Sequence, residues 1–300
     1  IFAFLVTVNV VFVPAATWAS TARGFFQFGT LPAEINLLTL GAFAALAGSG
    51  GVGNLAISNW FRDKGFGMGR FVGGIGGILA HGDEVRLAAV GCMFRDTPDN
   101  LARWRGWWRY ARIDQMLLWA GGCLLGMFLN VNLAVQIFPP DGIPNEQAMG
   151  TMQAEYLAGF WWALWPLALL NGFWILFSTQ LGNADALVRV SSDILWAGFP
   201  RVQRSSPSRL YALLLVACSL FGLVAINFGS VMGLFRILGA TANVVMAIAA
   251  VQILRVNTRF LPPEIRPRLW RRIGLVGCGC FYGSISLALA WSQLRSLFGG

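Results

Sequence analysis

Charge is scarce in this 300-residue chain. Asp, Glu, Lys and Arg make up 12% of it, about half the share a soluble domain carries. A single histidine, His81, excludes an HExxH motif and any site built from several imidazoles, and it reads as a polar loop residue. The five cysteines (Cys92, Cys123, Cys218, Cys278 and Cys280) are odd in number and form no CxxC pair, and four of them lie in apolar runs. They build neither a disulfide framework nor a zinc site. No GK[ST] closes a Walker A loop and no GxSxG is present, so nothing points to phosphate hydrolysis on a P-loop or to a serine nucleophile. The apolar runs hold no paired carboxylates, and Asp114 stands only at the entrance of one. No enzyme is expected.

What is abundant is apolar. Hydrophobic residues make up 56% of the chain, with 13 Trp and 23 Phe, and the mean hydropathy is +0.63. A soluble core of this size has no use for so much apolar surface, so the composition predicts an all-α, polytopic membrane protein. A hydrocarbon core of about 30 Å takes roughly 20 residues per helix. On that measure seven transmembrane helices are expected, at 1–19, 35–60, 113–138, 154–180, 210–228, 231–254 and 273–292. Barrel strands are disfavoured because no period-two alternation runs through these segments. The first residue is Ile1 inside an apolar run, without a charged leader, so a chain lacking its N-terminal part is expected.

The formal charge of +9 could suggest nucleic acid, but its distribution argues for a membrane. Nineteen of the 22 basic residues fall in loops 61–112, 181–209 and 255–272, which are every second connection. Loop 139–153 has none and carries Asp141 and Glu146 instead. This asymmetry predicts that the three basic loops face the cytoplasm. Short loops of this kind suit a bacterial-type inner (plasma) membrane. The stretch "RWRGWWRYAR" (103–112) reads as an interfacial anchor against anionic lipid at that face. "GFGMGRFVGGIGG" (65–77) lacks the strand a dinucleotide fold would place before it, and reads as a flexible or re-entrant connector.

The span 35–60 carries "AGSGGVGNLAISN" (47–59) at its middle. Gly48, Gly50, Gly51 and Gly53 weaken a helix where unpaired backbone is most costly. Small residues one turn apart could admit a neighbouring helix. A deliberate break is the favoured reading. Non-helical backbone at membrane depth is tolerated only beside protein or a watery cavity, and transporters bind ions and polar solutes at such breaks. Ser49 and Asn54 would add side-chain oxygens. Gln180, Asn130, Asn132, Asn243 and Gln252 are further amides in apolar surroundings. Interhelical hydrogen bonding is the commoner role of such groups.

"GTLPAEINLLTLGAFAALAGSGGVGNLAISN" (29–59) resembles the sixth helix of the Nramp divalent-metal transporters, with a G-x-LP approach and an Asn-Leu pair after the break. "STQLGNADALVRVSSDIL" (178–195) sits where that family's eighth helix ends. The resemblance covers essentially the whole chain as helices five to eleven, the second half of a LeuT-like inverted-repeat fold in a single transmembrane domain. It implies a transported divalent metal ion or other small solute as substrate, with the Gly48 carbonyl and Asn243 as ligands and Ser49, Gly50, Gly51, Asn54 and Gln180 around them. The sequence departs from the family where it matters. Aligning Asn54 and Leu55 puts Gly51, Val52 and Gly53 at the family's Met-Pro-His. Without thioether and imidazole, the remaining carbonyls and amides suit harder ions. The expected function is secondary transport by alternating access. The alternative is a membrane sensor or scaffold that keeps the fold without the site.

Overall fold

The computed structural model describes residues 1–27, 29, 36–46, 52–76, 87–88, 91–138, 149–228 and 230–298, and among these the chain is helical with no strand. Five helices are long and apolar enough to cross a membrane: Pro98–Ile137, Leu164–Gly198, Pro207–Ala225, Val231–Arg259 and Leu269–Ser292. Their apolar side chains point outward. Leu213, Leu220, Phe221 and Leu223 of one such helix are all exposed, and only 6% of its apolar window is buried. Water would not tolerate a surface of that kind, whereas lipid covers it. The protein is a polytopic helical membrane protein.

Of the seven spans expected from hydropathy, five correspond to these helices; the expected 1–19 is a bent pair, and the expected 35–60, read as a broken helix, is described as two shorter helices. In place of a span at 1–19 there are two helices, α1 (Phe2–Phe12) and α2 (Ala15–Phe25), whose axes differ by 119°. Pro14 has no N–H to continue the ladder, and it drives Val13 into extended backbone (φ −101°, ψ 122°). The span 35–60 corresponds to α3 (Leu37–Leu46) and α4 (Val52–Asp63), with 47–51 outside the described residues. The expected basic loops are also partly helical. Helix α6 (Pro98–Arg112), a π-helical turn segment (Ile113–Ala120) and α7 (Gly121–Ile137) form one continuous helix of 40 residues. Helix α9 (Leu164–Gly198) starts later than expected and runs 18 residues past position 180.

The chain divides into two compact units, residues 1–31 with 62–185 and residues 32–61 with 186–300. In the first, α7 packs against α1, α2 and α8 (Met149–Ala158). Val8, Val13, Leu133, Ala154, Leu157 and Ala168 form its buried cluster. Thr97 starts the 40-residue helix by accepting the Asn100 N–H, with Pro98 at the first helical position. At 1.5 Å per residue that helix is about 60 Å long, twice the hydrocarbon thickness, so its basic first turns stand outside the lipid tails.

The glycine-rich segment after α4 is ordered by Asp63. Its Oδ1 accepts from Arg62 Nε (2.9 Å), Arg62 Nη2 (2.8 Å) and the Ile75 N–H (3.2 Å). Gly65, Gly67 and Gly73 have φ of 71°, 58° and 72°, values that suit glycine. A Cβ on Gly69, the first residue of α5 (Gly69–Val72), would lie 2.6 Å from the Arg62 Cα. As far as residue 76, the segment expected as a flexible or re-entrant connector is a turn folded onto Asp63.

In the second unit α11 (Val231–Arg259) packs against α3 and α12 (Leu269–Phe298). Asn36 caps α3 by accepting the N–H groups of Leu38 and Thr39, and Ser206 and Ser230 cap α10 (Pro207–Ala225) and α11. Gly239 permits the closest approach. A Cβ there would overlap the Cα and Cβ of Ala42. This is the small-residue helix contact expected where no hydrophobic effect drives association.

Candidate functional site

Of the residues the sequence proposes as a site, Gly48, Ser49, Gly50 and Gly51 lie outside the described residues. Asn54 falls in the first turn of α4. Gln180 is exposed on α9, which continues past the end the hydropathy placed there. Asn243 is fully buried in α11. Its Nδ2 donates to the Gly41 carbonyl of α3 (2.9 Å) and to the Gly239 carbonyl one turn back (2.9 Å). The close α3–α11 packing at Gly239 and Ala42 brings that amide within reach of α3.

The donor side of this amide is thus spent on helix pairing, and its acceptor is not. Among the described residues Asn243 Oδ1 has no hydrogen-bond partner, nor do Thr39 Oγ1 of α3 and Arg236 Nε of α11, all three buried. Buried polar atoms are nearly always satisfied, and an exception signals a water, an ion or a ligand. Arg236, Gly239 and Asn243 recur every three or four residues and so share one face of α11. Gly41, Ala42 and Ala45 are the buried positions of α3. The result is a polar seam inside an apolar three-helix layer.

A second seam was legible in the sequence only at Asn132, read there as an amide suited to interhelical bonding. Asn9 of α1 and Asn132 of α7 are both fully buried, and Asn132 Nδ2 donates to Asn9 Oδ1 at 2.9 Å. Asn9 Nδ2 donates to the Leu5 carbonyl (2.8 Å), and the Trp18 indole N–H reaches the Asn9 carbonyl across the bend (3.3 Å). Thr17 of α2 donates to Gln136 of α7 at 2.7 Å, and Tyr156 of α8 donates to the Phe12 carbonyl beside the break at 3.3 Å. Here too buried atoms are left over: Asn132 Oδ1, Gln153 Nε2 and Thr21 Oγ1 have no partner among the described residues. The signals were a proline and an asparagine inside an apolar run. The other amide of "FLNVN", Asn130, is exposed and bonds its own helix at the Gly126 carbonyl.

In the second unit Asn59 of α4 donates to Asp193 of α9, tying the "LAISN" end of the glycine stretch to the "SSDIL" stretch. No three His, Cys, Asp or Glu side chains gather among the described residues, and all five thiols are free. The chemistry on offer is therefore that of amide and carbonyl oxygens, which suit hard, oxygen-preferring cations and hydrated species. No family model matches the chain, and no curated protein or solved structure matches it.

Proposed function

We propose that the protein is a secondary transporter of the Nramp-like, inverted-repeat class, moving a divalent metal ion or other small polar solute by alternating access. The observation that carries this reading is Asn243, a fully buried amide that joins α11 to the helix preceding the glycine stretch and keeps its Oδ1 unpartnered. An oxygen held at membrane depth without a donor is costly, and a bound ion or water removes the cost. The Gly48 carbonyl, Ser49, Gly50, Gly51 and Asn54 would complete the site in this reading, within a LeuT-like fold in an inner (plasma) membrane.

The departure at Gly51, Val52 and Gly53 favours the second reading, a sensor or scaffold without transport, because the thioether and imidazole of the resembled family are missing. Uptake of Mn2+ and Mg2+ into proteoliposomes separates the two. The Asn54→Leu/Asn243→Leu variant is expected to insert normally and to lose uptake, and full uptake by that variant removes the site. If the unaltered protein moves neither ion and gains no thermal stability from them, the sensor reading takes over. A ligand at 100 times its Kd should stabilise the native state by about 2.7 kcal/mol.

A further inference from the structure

The basic and aromatic residues of α6 run directly into the π-helical segment, and at that junction the surface opens. Arg109, Arg112, Ile113, Met116 and Leu117 line a groove of about 360 Å³. Three and four residues apart, these side chains share one face of the helix. The groove is cationic toward the start of the helix and apolar toward its middle. Ile113, Met116 and Leu117 are 45%, 71% and 68% exposed, so no part of the protein described covers them. No carboxylate among the described residues pairs with either arginine. The neighbouring Asp114 accepts instead from the Gln115 amide at 2.7 Å.

The depth of the groove follows from the helix itself. Counting roughly 20 residues back from Ile137, one hydrocarbon thickness, reaches Leu118, inside the π-helical segment. The arginines then stand at the headgroup level, and Met116 and Leu117 at the start of the acyl chains. Trp104 and Trp108 stack at 5.7 Å one turn earlier, and Trp107 stacks on Phe66, as aromatic rings do at the interface. The π-helical turns widen the helix at this point, and such segments recur at functional sites.

We propose that this groove binds one anionic phospholipid of the leaflet on the protein's basic side. Its phosphate is bridged by Arg109 and Arg112, and the first part of an acyl chain lies on Ile113, Met116 and Leu117. Two guanidiniums present planar donor forks that match phosphate oxygens. A free phosphate has no use for the apolar half of the groove, and a zwitterionic lipid brings a second charge that two arginines repel. The polarity of the groove follows the headgroup-to-tail order of a bilayer leaflet. This inference does not depend on transport.

The test is lipid binding by the full chain in detergent, followed by native mass spectrometry against phosphatidylglycerol and phosphatidylcholine. Phosphatidylglycerol should be retained preferentially, and R109Q/R112Q should weaken its binding about 30-fold. R103Q/R105Q, which removes the same charge from the same helix outside the groove, should change it less than about threefold. M116Q/L117Q, which leaves both charges, should also weaken it. Equal losses in the two arginine pairs would mean a diffuse field and overturn the site. So would equal retention of phosphatidylcholine, displacement of the lipid by inorganic phosphate, or no effect of M116Q/L117Q.

Discussion

Gly239→Ala adds one methyl group at the closest contact between α3 and α11. Its Cβ would overlap the Cα and Cβ of Ala42, neither of which can rotate away. Overpacking of this kind costs about 1–3 kcal/mol. Separating the helices also stretches the 2.9 Å bond from Asn243 Nδ2 to the Gly41 carbonyl, and an interhelical hydrogen bond in a membrane is worth about 0.6 kcal/mol. Helix propensity returns up to about 1 kcal/mol in the other direction. With the full propensity term the expected net loss is about 0.6–2.6 kcal/mol, read as a lower midpoint in reversible unfolding from detergent. Two controls fix the interpretation. At Gly41 an added Cβ would meet Leu289 Cδ1 at 3.0 Å and Ile285 Cγ2 at 3.2 Å, side-chain ends that can shift, so Gly41→Ala should be near neutral. At Gly222 nothing lies within 4 Å, so Gly222→Ala should be neutral or slightly stabilising. If Gly239→Ala unfolds at the same midpoint as Gly222→Ala, the close contact does not hold the seam and the reasoning fails.

In the other unit, a double-mutant cycle on Asn9→Leu and Asn132→Leu should give a coupling of about 0.6 kcal/mol, with about 1.7 as the upper bound, because each single change strands the partner amide in an apolar core. Additive losses would mean the two amides do not depend on each other. Gly69→Ala should open the turn around Asp63, since its Cβ meets the Arg62 backbone, and trypsin should then cut faster at the exposed Lys64 and Arg70. Gly91→Ala, with open space around it, serves as the control, and equal cleavage of the two variants would show that the turn is not held by that contact.

Hydropathy and charge found what depends on solvent alone: helices, a membrane, and the grouping of arginines. They misplaced helix ends for a physical reason. A helix does not stop where lipid stops, so α6 and α9 carry arginines well beyond the apolar window that marks them. The bend at Pro14 was legible in principle, since proline and its predecessor are both restricted. It was overridden by the apolar run around it. Asn243 was legible as an amide in an apolar span, but its bond to the Gly41 carbonyl joins residues 202 positions apart and has no local signature. Gln180 read the same way in sequence and is exposed, because which face of a helix packs inward is decided by its neighbours. The groove at Arg109 was half legible: the arginines were read as lipid-facing, while the exposed apolar residues beyond them looked like ordinary span.

The leftover atoms bear on what could occupy these seams. In one unit they are an amide oxygen (Asn132), an amide N–H group (Gln153) and a hydroxyl (Thr21). In the other they are an amide oxygen (Asn243), a guanidinium N–H (Arg236) and a hydroxyl (Thr39). Each set mixes acceptors with donors, spread along the helices: Arg236 and Asn243 are seven residues, about 10 Å, apart on α11. A bare cation would satisfy the oxygens and be repelled by Arg236, and a bare anion would do the reverse. Water satisfies both kinds, with about three hydrogen bonds per buried molecule. On the transport reading, the species that best fits such a lining is therefore a solute that keeps part of its water, with direct contacts only at the oxygens. Hard divalent cations, Mg2+ above all, dehydrate reluctantly and bind through a few oxygens plus retained water. Stripped of thioether and imidazole, the chain should then discriminate weakly between Mg2+ and Mn2+ in the uptake assay. A strong preference for Mn2+ would refute this reading and point to a soft ligand such as the thioether of Met246, one turn past Asn243 on α11.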